Sequence, residues 1–521
     1  MRKNSLLLTL SIALLTVCAL TACSHKSDSA SPDRSVLPES LKGLSFDKHM
    51  DISIGFWDID AMAKASQPDD LTRYIEELFN ITIHPVSVSW SNYKERYQIL
   101  SATKSLPDLF ATLTISSNDT NDSAVFTDMI ETGAIRALPR EMSAFPLISQ
   151  VLSSFSGTRY EDGRFYAIPR TSFTDPILSA TDAAMLVRRD WMDNLGYTDP
   201  QTFEEFARMT AAFANDDPDG NGIDDTLGYN VNSLNALGKW VMLGIAPDCN
   251  VYSWIEEDGR YIPSWTTDAF KDVVKDYRIL YETGALDPDF FTKSPFTAVE
   301  DFASGRLGAL EYKSSPSALK GVKDKWDALN DKPFEECVDI LPVIAAPDGT
   351  RYSNSSSVFW SESYLSAAVD DEKAQRILAL LEFLLSGQGR EMCRHGFNEK
   401  DNPSLALFYS LATWDNSWED FEKSDANHLQ YGETCVNLAY KSAVWYRDNT
   451  VQLTRPYDFL LCPKEPSERF STSQALDAFV NCIIGNDDPV EMWEQALSAM
   501  EEQGLEEYID RQNENYKRQT P

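Results

Sequence analysis

The sequence predicts an α/β fold in two lobes, each a mainly parallel sheet flanked by helices. Three observations carry this. At 521 residues the chain exceeds what one ordinary hydrophobic core accommodates, so two domains are expected. Hydrophobic residues at 43% and aromatic residues at 11% give a globular composition rather than a disordered one. From Asp51 onward, short apolar strands alternate with amphipathic helices, the pattern of a parallel sheet with right-handed crossovers.

The chain starts with a targeting segment. Arg2-Lys3 supplies the positive region, Leu6 to Leu15 the apolar region, and small residues follow. Leu20-Thr21-Ala22-Cys23 resembles a lipobox, in which Cys23 receives a diacylglycerol before cleavage ahead of it. An ordinary signal peptide with an incidental cysteine is the alternative. The polar tether Ser24 to Ser35 follows at once and favours the lipobox. The apolar region is too short to span a bilayer, and nothing later reaches about 18 uninterrupted apolar residues. The formal charge is −35. Such a charge repels polyphosphate and anionic headgroups, which argues against nucleic acid and against a peripheral membrane face.

Along the chain, Ile52, Ile54 and Phe56 alternate in a strand that ends at Trp57. Leu71, Tyr74, Ile75, Leu78 and Phe79 form a helical stripe. Ile81 to Val88 returns as a strand, Tyr93 to Leu100 as a helix and Leu109 to Ala111 as a strand. Met185-Leu186-Val187 is a strand, and the helix after it stops at Gly196. Thr202 and Glu205 form a capping box, with Glu205 expected to reach back to the Thr202 amide. Asp371 to Leu385 is a helix, and Asp488-Pro489 starts another.

Five motifs resemble, in their order, extracellular solute-binding proteins of family 1, the lipid-anchored receptors of ABC sugar importers. They are Asn92-Tyr93 to Phe110, Asp162 to Arg170, Arg188-Arg189-Asp190-Trp191 to Asn221-Gly222, Phe302 to Gly308, and Phe383 to Gly389. The resemblance implies a two-lobed periplasmic-binding-protein-like fold of type II, hinged by crossover segments. It implies a signal peptide over 1–22, a tether over 23–45, and lobe one over 46–168 and 307–360. Lobe two would take 169–306 and 361–521. Crossovers would lie at Ala167 to Arg170, near Leu307 to Tyr312, and near Val358 to Leu365, with Pro169 in the hinge. The implied partners are a small solute, most simply an oligosaccharide, and permease subunits. The chain would be a monomer on the extracellular face of the membrane.

The chemistry fits that expectation. None of the five histidines forms a zinc-type pair, and no G-x-S-x-G, Walker A or G-x-G-x-x-G is present. No two of Cys249, Cys337, Cys393, Cys435, Cys462 and Cys482 make a C-x-x-C motif. Twelve tryptophans and abundant carboxylates suit either a sugar receptor or a glycosidase, since both lay sugar faces on aromatic rings. A surface adhesin or signalling lipoprotein is a further alternative. Ligands of parallel sheets bind beyond the strands' carboxyl ends, which nominates Trp57, Asp58 and Asp108. The inferred crossovers nominate Arg170, Tyr312 and Trp360, and Trp240 is a candidate wall of lobe two. Core packing is the plain alternative for each aromatic.

The loop Asp217 to Asp225 spaces its oxygens like a calcium loop. Asp217, Asp219, Asn221 and Asp225 fall first, third, fifth and ninth, Gly222 sixth, and Ile223 seventh with its carbonyl. Gly228 stands twelfth, where an EF-hand has a bidentate Glu. A structural Ca2+ of modest affinity is expected there, and an Asx-bonded turn is the alternative.

Overall fold

The computed structural model describes residues 34–57, 59, 67–89, 91–115, 120–173, 175–232, 237–293, 296–354, 359–395, 404–418, 428, 431–453 and 473–519. Cys23, Asp58 and Cys462 lie outside these residues.

The first strands form as their patterns dictate. β1 (Met50–Trp57) and β2 (Ile81–Val88) pair in parallel register from Met50–Ile81 to Trp57–Val88. Helix Asp70–Phe79 joins them. Asp69 caps it by accepting from the Thr72 amide, Leu71, Ile75, Leu78 and Phe79 face the core, and Asn80 closes it in the left-handed region. β3 (Leu109–Thr112) adds beside β1, and β4 (Ala167–Phe173) follows. The chain then builds β5 (Ala184–Arg188), β6 (Leu227–Val231), the hairpin β7 (Trp254–Glu257) and β8 (Arg260–Pro263), β9 (Leu307–Tyr312) and β10 (Val338–Leu341). Last come β11 (Tyr352–Ser353), β12 (Phe359–Leu365), β13 (Thr413–Asn416) and β14 (Val451–Gln452).

Two main sheets result, one of six strands in the order β13-β4-β12-β3-β1-β2 and one of four in the order β10-β5-β9-β6. Each is mainly parallel, as expected, and is made mixed by a single opposing strand. β12 opposes both β3 and β4, and β5 opposes both β9 and β10. These antiparallel strands arise because the chain passes between sheets and enters each from the shared edge, with no crossover helix to restore its direction.

Strand direction locates that edge. β1, β3, β4 and β13 end on one edge of the six-stranded sheet, and β12 begins there, with Phe359 opposite Thr171. In the smaller sheet β6, β9 and β10 end on one edge, where β5 begins and Tyr312 lies opposite Ala184. Among the described strands, the steps from β4 to β5 and from β10 to β12 therefore leave and enter at carboxyl edges.

The cores follow the sheets. One spans Leu37 to Ile168 and Phe359 to Ala412, with helix Asp371–Leu385 in it. The others take Phe173 to Ile344 and Cys435 to Ile509. This moves three expected boundaries. Ala167 to Arg170 is a strand inside the large sheet, so the first passage comes after Phe173, and Pro169 pairs with Glu362 rather than forming a hinge. Leu307 to Tyr312 lies in the small sheet and not in the first lobe. The described residues of 361–395 and 404–411 pack in the first core and not with the second lobe, and Phe359 to Leu365 is a strand rather than a crossover.

Cys249, Cys337, Cys393, Cys435 and Cys482 are all buried free thiols. No helix among the described residues is long and apolar enough to cross a membrane.

Candidate functional site

At the carboxyl edge of the large sheet, β1 ends in Phe56 and Trp57, both almost completely buried. Trp57 stacks on Trp360, with centroids 5.3 Å apart and planes 26° apart, and meets Tyr93 edge-on at 5.3 Å. Trp360 stays partly open because it falls where the β12–β4 register slips between Phe359 and Ser361. An extra residue of this kind leaves the ladder and is re-aimed, a device common beside binding sites.

Beneath the rings lies Arg170, fully buried in β4. Its guanidinium carbon sits 4.5 Å from the Phe56 centroid, 5.9 Å from Trp57 and 5.8 Å from Trp360. Its Nε donates to the Ser410 carbonyl at 2.9 Å, Nη2 donates to the same oxygen, and Nη1 donates to Ser361 Oγ at 2.6 Å. Burial lowers its pKa to about 9, and the Glu362 carboxylate opposes that fall. Trp57, Arg170 and Trp360 are thus brought together by three strands.

Tyr312 sits at the matching edge of the small sheet, half-buried, one residue beyond Glu311. Glu311 is buried and accepts from Tyr229 Oη at 2.7 Å and from the Trp240 amide at 2.8 Å. Burial raises its pKa to about 7. The neighbouring Lys239 keeps solvent access with protein on most sides, and that enclosure lowers its pKa.

Two expected contacts lie elsewhere. Trp240 is wholly inside the second core, its indole donating to Tyr446 Oη at 3.0 Å. Asp108 precedes β3 at the amino edge of a parallel strand, opposite to the edge the strand-end argument requires. It accepts from the Ser53 amide at 2.8 Å and from Lys373 Nζ at 3.2 Å, so it braces β1 against helix Asp371–Leu385. Glu311 and Tyr93 were not singled out from sequence. For Glu311 a signal existed, an acid in the otherwise apolar run Leu307 to Leu310.

The buried carboxylates Glu311 and Glu362 belong to different sheets. Glu362 accepts from the Thr114 amide at 3.0 Å, and both acids hold protein groups in place.

The acidic loop follows helix Phe203–Asn215, whose Thr202 cap accepts from the Glu205 amide at 3.4 Å. Glu205 reaches the Gln201 amide at 2.7 Å rather than that of Thr202. In the loop, Asp217 accepts from the amides of Asn221 at 3.1 Å and Gly222 at 3.0 Å, and the Asn221 side chain bridges Asp219 at 2.8 Å and Asp225 at 3.4 Å. Among the described residues no three His, Cys, Asp or Glu side chains gather as a metal cluster. The donor types still suit a hard cation, with three carboxylates, an amide oxygen and the Ile223 carbonyl in nine residues. Gly228 cannot bear the missing acid, because a Cβ there would lie 2.3 Å from the Thr210 carbonyl oxygen.

No family model matches the chain. Among curated proteins it is similar to Lipoprotein LipO of Bacillus subtilis, 24% identical over 466 residues, 82% of this chain and 87% of that one. It is also similar to the polygalacturonan/rhamnogalacturonan-binding protein YtcQ of Bacillus subtilis, 25% identical over 53% of this chain and 52% of that one. A third relative is the fructooligosaccharide ABC transporter substrate-binding protein FusA of Streptococcus pneumoniae, 25% identical over 67% of this chain and 62% of that one. The chain thus spans about half of YtcQ and under two thirds of FusA. Among solved structures, FusA in complex with kestose aligns with a TM-score of 0.63 and 15% identity, covering 90% of this chain and 99% of that one. An EF-hand mutant of FusA in complex with fructo-nystose aligns with a TM-score of 0.64 and 16% identity, covering 90% and 99%. The fold is therefore that of solute-binding proteins, and the chain is homologous to ABC substrate-binding proteins. These relatives are named as binding proteins or as a lipoprotein, none as an enzyme.

Proposed function

We propose that this homologue of ABC substrate-binding proteins is an extracellular receptor, lipid-anchored through Cys23, that binds an oligosaccharide and delivers it to an ABC permease without chemical turnover. One observation carries the reading. The carboxyl edges of both sheets sit where the chain passes between them, and the larger edge presents Trp360, part open, on a base of Trp57 and Arg170. A partly exposed ring stacked on a buried one is a rigid shelf for the apolar face of a sugar. Tyr312, at the smaller edge, is the second candidate contact. Passage of the chain at one common side suits closure of two lobes on a small solute.

The test is thermal unfolding with kestose, maltotetraose and an oligogalacturonate. A ligand present at 100 times its dissociation constant adds about 2.7 kcal/mol of stability. Consumption of the sugar during the assay would reject the receptor reading.

We also propose that Asp217, Asp219, Asn221 and Asp225, with the Ile223 carbonyl, hold a structural Ca2+. The ion would neutralise three carboxylates and fix the loop after helix Phe203–Asn215, with no part in ligand chemistry. Calorimetry with calcium on chelator-treated protein should give binding heats that Asp219→Ala loses. Identical heats from both proteins would leave the loop an ordinary turn.

A further inference from the structure

Phe296 combines two features that core packing does not explain. Its φ is +72°, a left-handed conformation that a bulky aromatic residue rarely adopts. The residue is 49% exposed, one of the few large apolar residues described that stand open to solvent. A strained backbone of this kind persists only where its surroundings over-determine it.

Here they do. The Phe296 amide donates to Asn232 Oδ1 at 3.2 Å, and the Phe296 carbonyl accepts from the Glu300 amide at 3.1 Å. On either side, Lys293 Nζ donates to Asp301 Oδ2 at 2.7 Å and also to Asp287 Oδ2. Asp287 and Asp301 are buried, and Asp287 accepts from Asn230 Nδ2 at 2.5 Å as well. The segment bearing Phe296 is thus clamped to the end of β6 by a buried ion web that spans it. Lys293 lies before the ring and Asp301 after it.

Strand direction then fixes where the ring stands. Asn232 follows the last residue of β6, and its amide donates to the Glu311 carbonyl at 3.4 Å. Helix Thr297–Ala303 leads through a short turn into β9, so its start lies at the edge where β9 ends in Tyr312. Phe296 is therefore presented from the carboxyl edge of the small sheet, the edge shared with Tyr312.

We propose that Phe296 is a ligand-binding platform of the small lobe, stacking on the apolar face of one pyranose or furanose ring. The inference rests on the oligosaccharide-receptor reading. A strained backbone holds the ring out in water before the ligand arrives, so little further ordering is needed on binding. The apolar face of a sugar then covers surface that would otherwise remain exposed.

Glycine accepts this φ without strain, which makes the test specific. Calorimetry on the full chain would use kestose, maltotetraose and an oligogalacturonate as probes. For whichever sugar binds, Phe296→Gly should weaken affinity roughly 3- to 10-fold, the range expected from loss of one stacking partner. Its ligand-free melting temperature should equal or exceed that of the unaltered protein. Phe296→Leu keeps apolar bulk without a ring face and should lose affinity to the same extent, whereas Phe296→Tyr should stay within about 2-fold. Unchanged affinity in the Gly and Leu variants overturns the proposal and leaves the receptor reading standing. A large fall in the ligand-free melting temperature of Phe296→Gly also overturns it, since the ring would then be a packing residue. Failure of the unaltered protein to bind any of the three sugars rejects the receptor reading, and this inference with it.

Discussion

At the edge of the large sheet a buried guanidinium, Arg170, rests against three aromatic faces, a carbonyl and a hydroxyl. At the edge of the small sheet a buried carboxyl, Glu311, is held by a tyrosine hydroxyl and a backbone amide. The two groups differ in what burial can do to them. Arg170 is lowered to about 9 and stays charged at neutral pH, so its surroundings must accept the charge. Glu311 is raised to about 7 and can shed its charge by taking a proton. Arg170 thus keeps its charge through ordinary changes in pH, whereas Glu311 changes charge within them.

The largest effect is expected from removing the permanent charge. Arg170→Met leaves the Ser410 carbonyl and the Glu362 carboxylate without the cation that faces them, and it removes the base under Trp57 and Trp360. A loss of about 3–5 kcal/mol is expected at neutral pH, as for other buried charges left uncompensated. Urea unfolding measures it. A loss below about 1 kcal/mol would mean that the aromatic cluster stands without the cation, and the contrast between the two edges would fail.

Glu311 should act through pH instead. Its folded pKa lies above its unfolded value, so its protonated form is favoured by folding. The stability it contributes is fully present below about pH 4.5 and is lost as pH rises through about 7. A rise from 4.5 to about 7 corresponds to a loss on the order of 3 kcal/mol. Glu311→Gln should flatten this part of the curve of melting temperature against pH. Asp276 is raised from 3.8 to about 6 by burial and acts with the same sign in an overlapping, lower window, so Asp276→Asn is the control. If Glu311→Gln leaves the slope unchanged while Asp276→Asn removes it, the titrating group is on helix Ala269–Glu282 and not at the sheet edge.

What the sequence revealed depended on how local the determinant was. Helix Asp371–Leu385 was legible to its ends, because Asp370 caps it and its apolar stripe is contained within it. The strand Ile81–Val88 and the Asp488 cap of helix Pro489–Glu502 were equally plain. Sheet membership was not. The run Leu307 to Leu310 is buried on both faces and would read the same in either sheet, and only its pairing with β5 and β6 decides. The candidate site was partly legible. Trp57 and Trp360 were nominated for separate reasons, but their stacking with Arg170 joins three strands distant in sequence. Trp240 failed because a tryptophan's partner is not written in its neighbours, and Asp108 failed because it precedes the strand Leu109–Thr112, so the carboxyl-end rule did not apply to it.

The smallest stability effect separates shelf from core within the large edge itself. Trp57 is 3% exposed and touches Phe56, Tyr93 and Trp360, whereas Trp360 is partly open in an irregular stretch of β12. Trp57→Ala opens a cavity, and a loss of about 3–5 kcal/mol is expected. Trp360→Ala removes one stacking contact and a ring already partly in water, so about 1 kcal/mol is expected. Ligand affinity should order the two differently. Trp360→Ala should bind a recognised sugar roughly 10-fold more weakly at a melting temperature close to that of the unaltered protein, a ratio worth about 1.4 kcal/mol. Chemical unfolding and calorimetry on the same variant read both quantities. If Trp360→Ala unfolds as readily as Trp57→Ala and binds sugar unchanged, both rings are core, and the surface that receives the ligand must be sought at the smaller edge.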